Sequence, residues 1–280
     1  MRSFWKRIKR MPTFWIGAVL LIGIVLISTL GASSVDQELL RLDGSRMNIA
    51  PCAEYPLGTQ SEGRDMLSLL IVGSGVTLKI GLIAGAIAIV VGTALGLIAG
   101  YCGGKTDSII SAIVDTGMTI PPLAIMILIA ASISSLSVAG MGIIIAITAW
   151  MQPTRVIRSQ MLSMKERNYV QMAKISNVSG LGIVFKEIMP NLLPFLACTF
   201  VNAVSTAILS SIGLEVLGLG SQQSNSLGVT IYFAIYYSAM WRGLWWWWLP
   251  PIIVIVLIFV SLFLISVGLD ELGNPKLKRL

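Results

Sequence analysis

Histidine is absent from the chain. That removes imidazole chemistry as a whole: HExxH zinc hydrolysis, Ser-His and Cys-His nucleophile pairs, and haem held by a His ligand. Cysteine is scarce as well. Cys52, Cys102 and Cys198 are too few for a disulfide framework and lack metal-ligand spacing, so no metal site is expected. Charge is thin, with 12% Asp, Glu, Lys and Arg against 55% hydrophobic residues. Mean hydropathy is +0.84, and apolar runs near the ~20 residues a helix needs to cross hydrocarbon recur along the chain. These features exclude an ordinary soluble domain and predict an all-α membrane protein.

About six spans are expected, over 14–31, 77–101, 109–134, 136–152, 188–218 and 245–268. The net charge of +7 does not point to nucleic acid, because the basic residues flank the apolar runs instead of forming a soluble basic domain. They report orientation. Arg2, Lys6, Arg7, Lys9 and Arg10 precede the first run, and Lys276, Lys278 and Arg279 follow the last. The loop from Gly31 to Leu70 holds Asp36, Glu38, Asp43, Glu54, Glu62 and Asp65 against three arginines. Basic loops inside and an acidic loop outside put both termini in the cytoplasm. The first run also has the look of a secretory signal peptide, but a retained helix gives a consistent topology. Residues 1–72 then form a basic segment, a first helix and an extracytoplasmic loop, and residues 73–280 a five-span core.

Gly81, Gly85, Gly92, Gly96 and Gly100 recur through the second span, including two GxxxG spacings that allow close helix approach. Pro121-Pro122 and Pro194 predict bent or locally unwound helices in the third and fifth spans. Trp241 and Trp245 to Trp248 open the last span at its outer end, either as an aromatic belt at headgroup level or as the wall of a substrate vestibule. Gly103-Gly104-Lys105-Thr106 ends like a phosphate-binding GxxxxGKT loop, yet Ala99 stands where the first glycine belongs and the segment leaves a membrane helix. No nucleotide site is expected in this chain.

Asp115 and Glu215 are acids within apolar spans, costly enough there to count as functional candidates, with interfacial positions as the alternative. With Pro121 they are the residues expected on a translocation path. A pair of intramembrane acids also suggests an aspartyl protease, but the acid motifs of such an enzyme are missing. A second rival is an ion-coupled secondary transporter, although the internal repeat common in those proteins is not found.

The most telling stretch is the polar, basic island from Arg155 to Pro190. A helix over Ser163 to Ser176 places Tyr169, Met172, Ala173 and Ile175/Ser176 near one stripe, with Lys165, Arg167 and Lys174 elsewhere. Asn177 through Gly180 tolerate a left-handed turn, and a second helix from Gly182 to Met189 leads back to the membrane at Pro190. Two short helices joined by a turn make a knob that fits a partner's groove. The same pattern also describes an interfacial helix resting on anionic lipid.

In this loop Gln171-Met172-Ala173, Asn177 and Met189-Pro190 are in register with the EAA motif of permease subunits of binding-protein-dependent ABC importers, which runs Glu-Ala-Ala, a turn glycine and then a Leu-Pro pair. Further stretches resemble the second permease of the dipeptide, oligopeptide and nickel group. They are Pro56-Leu57-Gly58-Thr59 with Gly63-Arg64-Asp65; Gly96-Leu97-Ile98-Ala99-Gly100-Tyr101; Val114-Asp115 with Ile120-Pro121; Leu217-Gly218-Leu219-Gly220; and Gly268-Leu269-Asp270 with Asn274-Pro275-Lys276. The chain departs from the pattern at Gln171, which replaces the acid, at Met172, which adds bulk, and at Asn177, which replaces the glycine.

The resemblance implies a type I ABC importer permease fold with a cytoplasmic coupling loop. It also implies a non-catalytic subunit that encloses a path with a second homologous permease in a bacterial or archaeal inner membrane. Two ATP-binding subunits holding ATP and Mg and an extracytoplasmic solute-binding protein complete the implied assembly. ATPase coupling would fall to Tyr169, Gln171, Met172, Ala173, Lys174, Asn177, Gly180 and Pro190. Oligopeptides, oligosaccharides and nickel complexes are the solutes implied.

Overall fold

The computed structural model describes residues 11–133 and 135–273. The basic residues Arg2 to Arg10, the Asn274-Pro275-Lys276 motif, and Lys278 and Arg279 lie outside the described residues. Helix α1 is Pro12–Ser34, α2 Met66–Cys102, α3 Gly104–Thr119, α4 Pro122–Ala131 and α5 Val138–Ala149. Helix α6 is Met151–Lys165, α7 Asn168–Ile175, α8 Gly180–Val216, α9 Leu227–Tyr236 and α10 Trp245–Gly273. Among the described residues four of these are long and apolar enough to cross a membrane, and the pair α3 and α4, bent by 76°, passes the same test only when taken together. The bend falls at Pro121-Pro122, where the ring removes an amide donor and restricts the residue before it. Helix α5 is too short to cross alone. A single residue, Trp150 at φ −76° and ψ −20°, joins it to α6, so the chain continues almost directly from α5 into the polar island.

Several expected boundaries move outward. The second span starts at Met66, not at residue 77, because the Asp65 carboxylate accepts from the Ser68 amide at 2.8 Å and caps the helix there. Helix α2 therefore runs without a break across residue 72. The fifth span begins at Gly180, ahead of 188, so the second helix of the island and the membrane helix are continuous. The short helix α9 was not anticipated.

Helix α2 is the spine of the bundle. Its glycines receive bulk from neighbours along its whole length: a Cβ on Gly85 would stand 2.5 Å from Val204 Cγ2 of α8, and one on Gly92 2.6 Å from Pro153 Cβ of α6. Helix α1 packs along α10, where a Cβ on Gly17 would meet the Ser261 carbonyl at 2.6 Å. Gly92→Leu is expected to cost about 1–3 kcal/mol through overpacking, seen as a lower unfolding midpoint in detergent. Gly23→Leu, where an added Cβ meets nothing within 4 Å, should leave the midpoint unchanged.

The two ends of α2 define the two faces of the molecule. At the Met66 end, residues 35–65 fold over α9 and the start of α10. The Arg64 guanidinium binds Glu62 at 2.7 Å, donates to Asn225 Oδ1 at 3.3 Å and lies over the Phe233 ring. Trp246 donates to the Thr59 carbonyl at 3.1 Å, and Arg242 to Ser61 at 3.0 Å. The tryptophan run is split by this packing: Trp247 is fully buried, whereas Trp241 and Trp245 are exposed. At the Cys102 end lies the hairpin built from α7 and the start of α8.

Candidate functional site

The hairpin is shaped by local chemistry. Its turn is a Schellman closure: the Val178 amide donates to the Ala173 carbonyl at 3.1 Å and Asn177 to that of Lys174 at 3.0 Å. Asn177 supplies the left-handed conformation this needs, at φ +57°. Ser179 then accepts from the Gly182 amide at 3.2 Å, and the chain winds into a π-helical turn, Ile183–Ile188, in which the Met189 amide donates to Val184. Pro190 follows directly, and with no amide of its own it cannot serve the regular ladder.

The first helix is shorter than the sequence suggests, since Ser163 to Lys165 end α6. Its buried face also differs from the expected stripe. Val170 and Ala173 point inward, against Ile183, Val184, Ile188 and Leu192 of α8 and Leu97 of α2. Met172 and Ile175 are 67% and 82% exposed, and Leu181 and Phe185 across the turn are 73% and 60% exposed. Helix α7 is apolar on two sides, so periodicity alone does not choose the inward one; contact with α8 does. The Tyr169 hydroxyl is buried, and that burial pushes its pKa upward.

The hairpin is anchored to the bundle. Lys165 donates to the Tyr101 carbonyl at 2.7 Å and sits over the Tyr101 ring, whose hydroxyl would stand 2.9 Å from a Cβ on Gly180. Gln171 reaches the Lys165 carbonyl across a long 3.4 Å, a donation glutamate would not make. Beside this, Arg158 of α6 grips Asp107 of α3 through two nitrogens, one at 2.7 Å. Lys174 and Pro190 are exposed on the surface.

Two cavities lie along α8. One of about 480 Å³ has a polar wall from Thr199, Asn202, Thr206 and Ser210, with Thr148 and Gln152 opposite. The other, about 1060 Å³, is bounded by the hairpin residues Asn168 and Tyr169 and by Glu166 and Arg167. Phe195 and Asp270 line both. Uncharged side chains of this kind do not stand out in an apolar run, although the polar positions recur every three or four residues through the fifth span, the signal of one helix face.

Asp115, Pro121 and Glu215 are not brought together, and none of them lines either of these two cavities. Asp115 is exposed, 3.9 Å from Arg155. Pro121 sits at the bend. Glu215 is buried near the far end of α8, where Gly220 and Gly228 pack directly against it.

Comparison with known proteins adds the following. The family described as "Binding-protein-dependent transport system inner membrane component" matches residues 92–279. Over 290 residues the chain is 29% identical to the dipeptide transport system permease protein DppC of Haemophilus influenzae, covering 100% of this chain and 96% of the relative. It is 30% identical over 221 residues to DppC of Alkalihalophilus pseudofirmus, covering 79% and 72%. The oligopeptide transport system permease protein OppC of Haemophilus influenzae is 32% identical over 186 residues, 66% of this chain and 60% of the relative.

Proposed function

Because the chain belongs to the inner membrane components of binding-protein-dependent transport systems, we propose that it forms half of the translocation path of an ATP-driven importer of dipeptides or oligopeptides, with a second permease as the other half. The names of its relatives support the solute class. The hairpin faces the cytoplasm, and residues 35–65 with the tryptophan-rich end face the binding protein. Basic residues around the hairpin and acids in the 35–65 loop support that orientation. ATP and Mg are held by two partner ATPase subunits, and this chain performs no bond chemistry.

The observation that carries this reading is the two-sided hairpin. One side is sealed into the bundle through Val170 and Ala173. The other presents Met172, Ile175, Leu181 and Phe185 uncovered, an apolar patch of the kind that marks an interaction surface. An ATPase groove that receives this patch moves the hairpin, and with it α8 and the spine helix α2. The coupling set is then Met172, Lys174 and the residues around the turn at Asn177 and Gly180. Tyr169, Gln171, Ala173 and Pro190 hold the hairpin's shape.

The test is uptake of a radiolabelled tripeptide by proteoliposomes containing the full assembly and its binding protein. Uptake is expected to need every subunit and to stop with vanadate, while an uncoupler leaves it unchanged. Uptake that survives vanadate and collapses with the uncoupler would instead establish an ion-coupled carrier.

A further inference from the structure

The membrane cavity along α8 is polar without being charged. Hydroxyls and amides at Thr148, Gln152, Thr199, Asn202, Thr206 and Ser210 line it, and Asp270 is the single ionisable side chain among its lining residues apart from the buried Cys198 thiol. Asp270 sits on the last turns of α10 beside that thiol. Among the described residues no Lys or Arg forms an ion pair with it. With Phe195 it also borders the larger cavity next to the hairpin. Phe195 and the exposed Asp270 thus stand where the two spaces adjoin, with Glu166 and Arg167 farther round the larger one.

A carboxylate at such a neck discriminates by charge. It accepts hydrogen bonds from a cationic nitrogen and repels an anion. The uncharged walls above it satisfy amide and hydroxyl groups without fixing a charge. We propose that Asp270, with Phe195, is the inner selectivity neck of the path and engages the ammonium group of a solute whose remaining polar groups are neutral. This deepens the importer reading and rests on it: for a peptide, the group engaged is the free amino terminus.

The experiment compares Ala-Ala-Ala with N-acetyl-Ala-Ala-Ala in proteoliposomes holding the full importer and its binding protein. Each variant's rate is divided by the wild-type rate for the same peptide, so that capture by the binding protein cancels. Asp270→Asn is expected to lower uptake of the free peptide about tenfold, the scale of a lost charge-assisted hydrogen bond, and to leave the acetylated peptide within about twofold. Asp270→Glu should restore the free peptide. Recovery of all subunits with the Asn variant checks assembly. Equal loss for both peptides, or no loss for either, overturns the proposal. Should the wild type import the free peptide alone, basal ATP hydrolysis becomes the control: hydrolysis lowered in step with uptake by Asp270→Asn overturns the proposal, and uptake lowered alone supports it. Should the wild type import neither peptide, the peptide reading fails on its own account. The Asp270 assignment is then decided by the solute retained by the purified binding protein: it falls if that solute carries no positive charge, and stands if the solute is cationic and Asp270→Asn slows its uptake.

Discussion

Changing Ile175 and Leu181 together to Asp is expected to prevent recovery of ATPase subunits with the chain and to reduce uptake at least about a hundredfold. Both side chains are among the most exposed apolar groups at the hairpin end, and neither belongs to the buried cluster that holds the hairpin closed. The hairpin should therefore keep its fold. What changes is the face offered outward. Each central apolar anchor of an interface is worth about 2 kcal/mol or more when truncated, and a carboxylate forced into the same groove adds an unpaired charge. The measurement is co-purification through a tag on the ATPase, with the unfolding midpoint of the permease as control. Undiminished recovery would remove the coupling assignment. Val170→Asp offers the contrast: it buries a charge within the hairpin core, and should lower the midpoint as well as the recovery.

The second large effect is expected at the opposite face. Glu62 and Arg64 are mostly shielded, with side chains 14% and 13% exposed. Arg64→Leu leaves the Glu62 carboxylate without its cation and releases Asn225 and the Phe233 ring, a loss of about 3–5 kcal/mol for a broken buried pair. Residues 35–65 should then become sensitive to brief proteolysis while the spans stay intact. Because most of that cost is an uncompensated charge, the double change Glu62→Leu with Arg64→Leu should recover much of the resistance. If the single variant is as protease-resistant as the wild type, the loop is held mainly by Trp246, Arg242 and the Thr59 contacts.

Hydropathy made the long crossings legible, because an uncharged run such as Trp245 to Gly268 exceeds the ~20 residues a helix needs to cross hydrocarbon. The hairpin turn was legible too, through Asn177, which takes the positive φ the turn requires. What escaped was decided by contacts far apart in sequence. Helix α9 is ten residues long and follows the polar run Ser221 to Ser226, so no span-length signal marks it. Arg64 looks like one more loop cation until folding brings Asn225 and Phe233 beside it. Asp270 looks like a terminal surface acid and is exposed, yet the packing of α8 against α10 makes it part of the lining of two cavities. Asp115 and Glu215 stood out because charge in an apolar run is rare, yet rarity says nothing of direction, and one faces Arg155 while the other is sealed among glycines.

Helix α2 runs for 37 residues and contains no proline. About a third of the way along, the Thr77 hydroxyl accepts the Leu227 amide at 3.1 Å; near the far end, the Tyr101 carbonyl accepts from Lys165. Those two attachment points stand roughly 36 Å apart at 1.5 Å per residue. A connecting rod of that length, clasped on both sides by close-fitting neighbours, has little room to buckle. A shove delivered at the hairpin end should reach the opposite end as tilt of a single stiff strut, with no relay of intermediate switches needed between them.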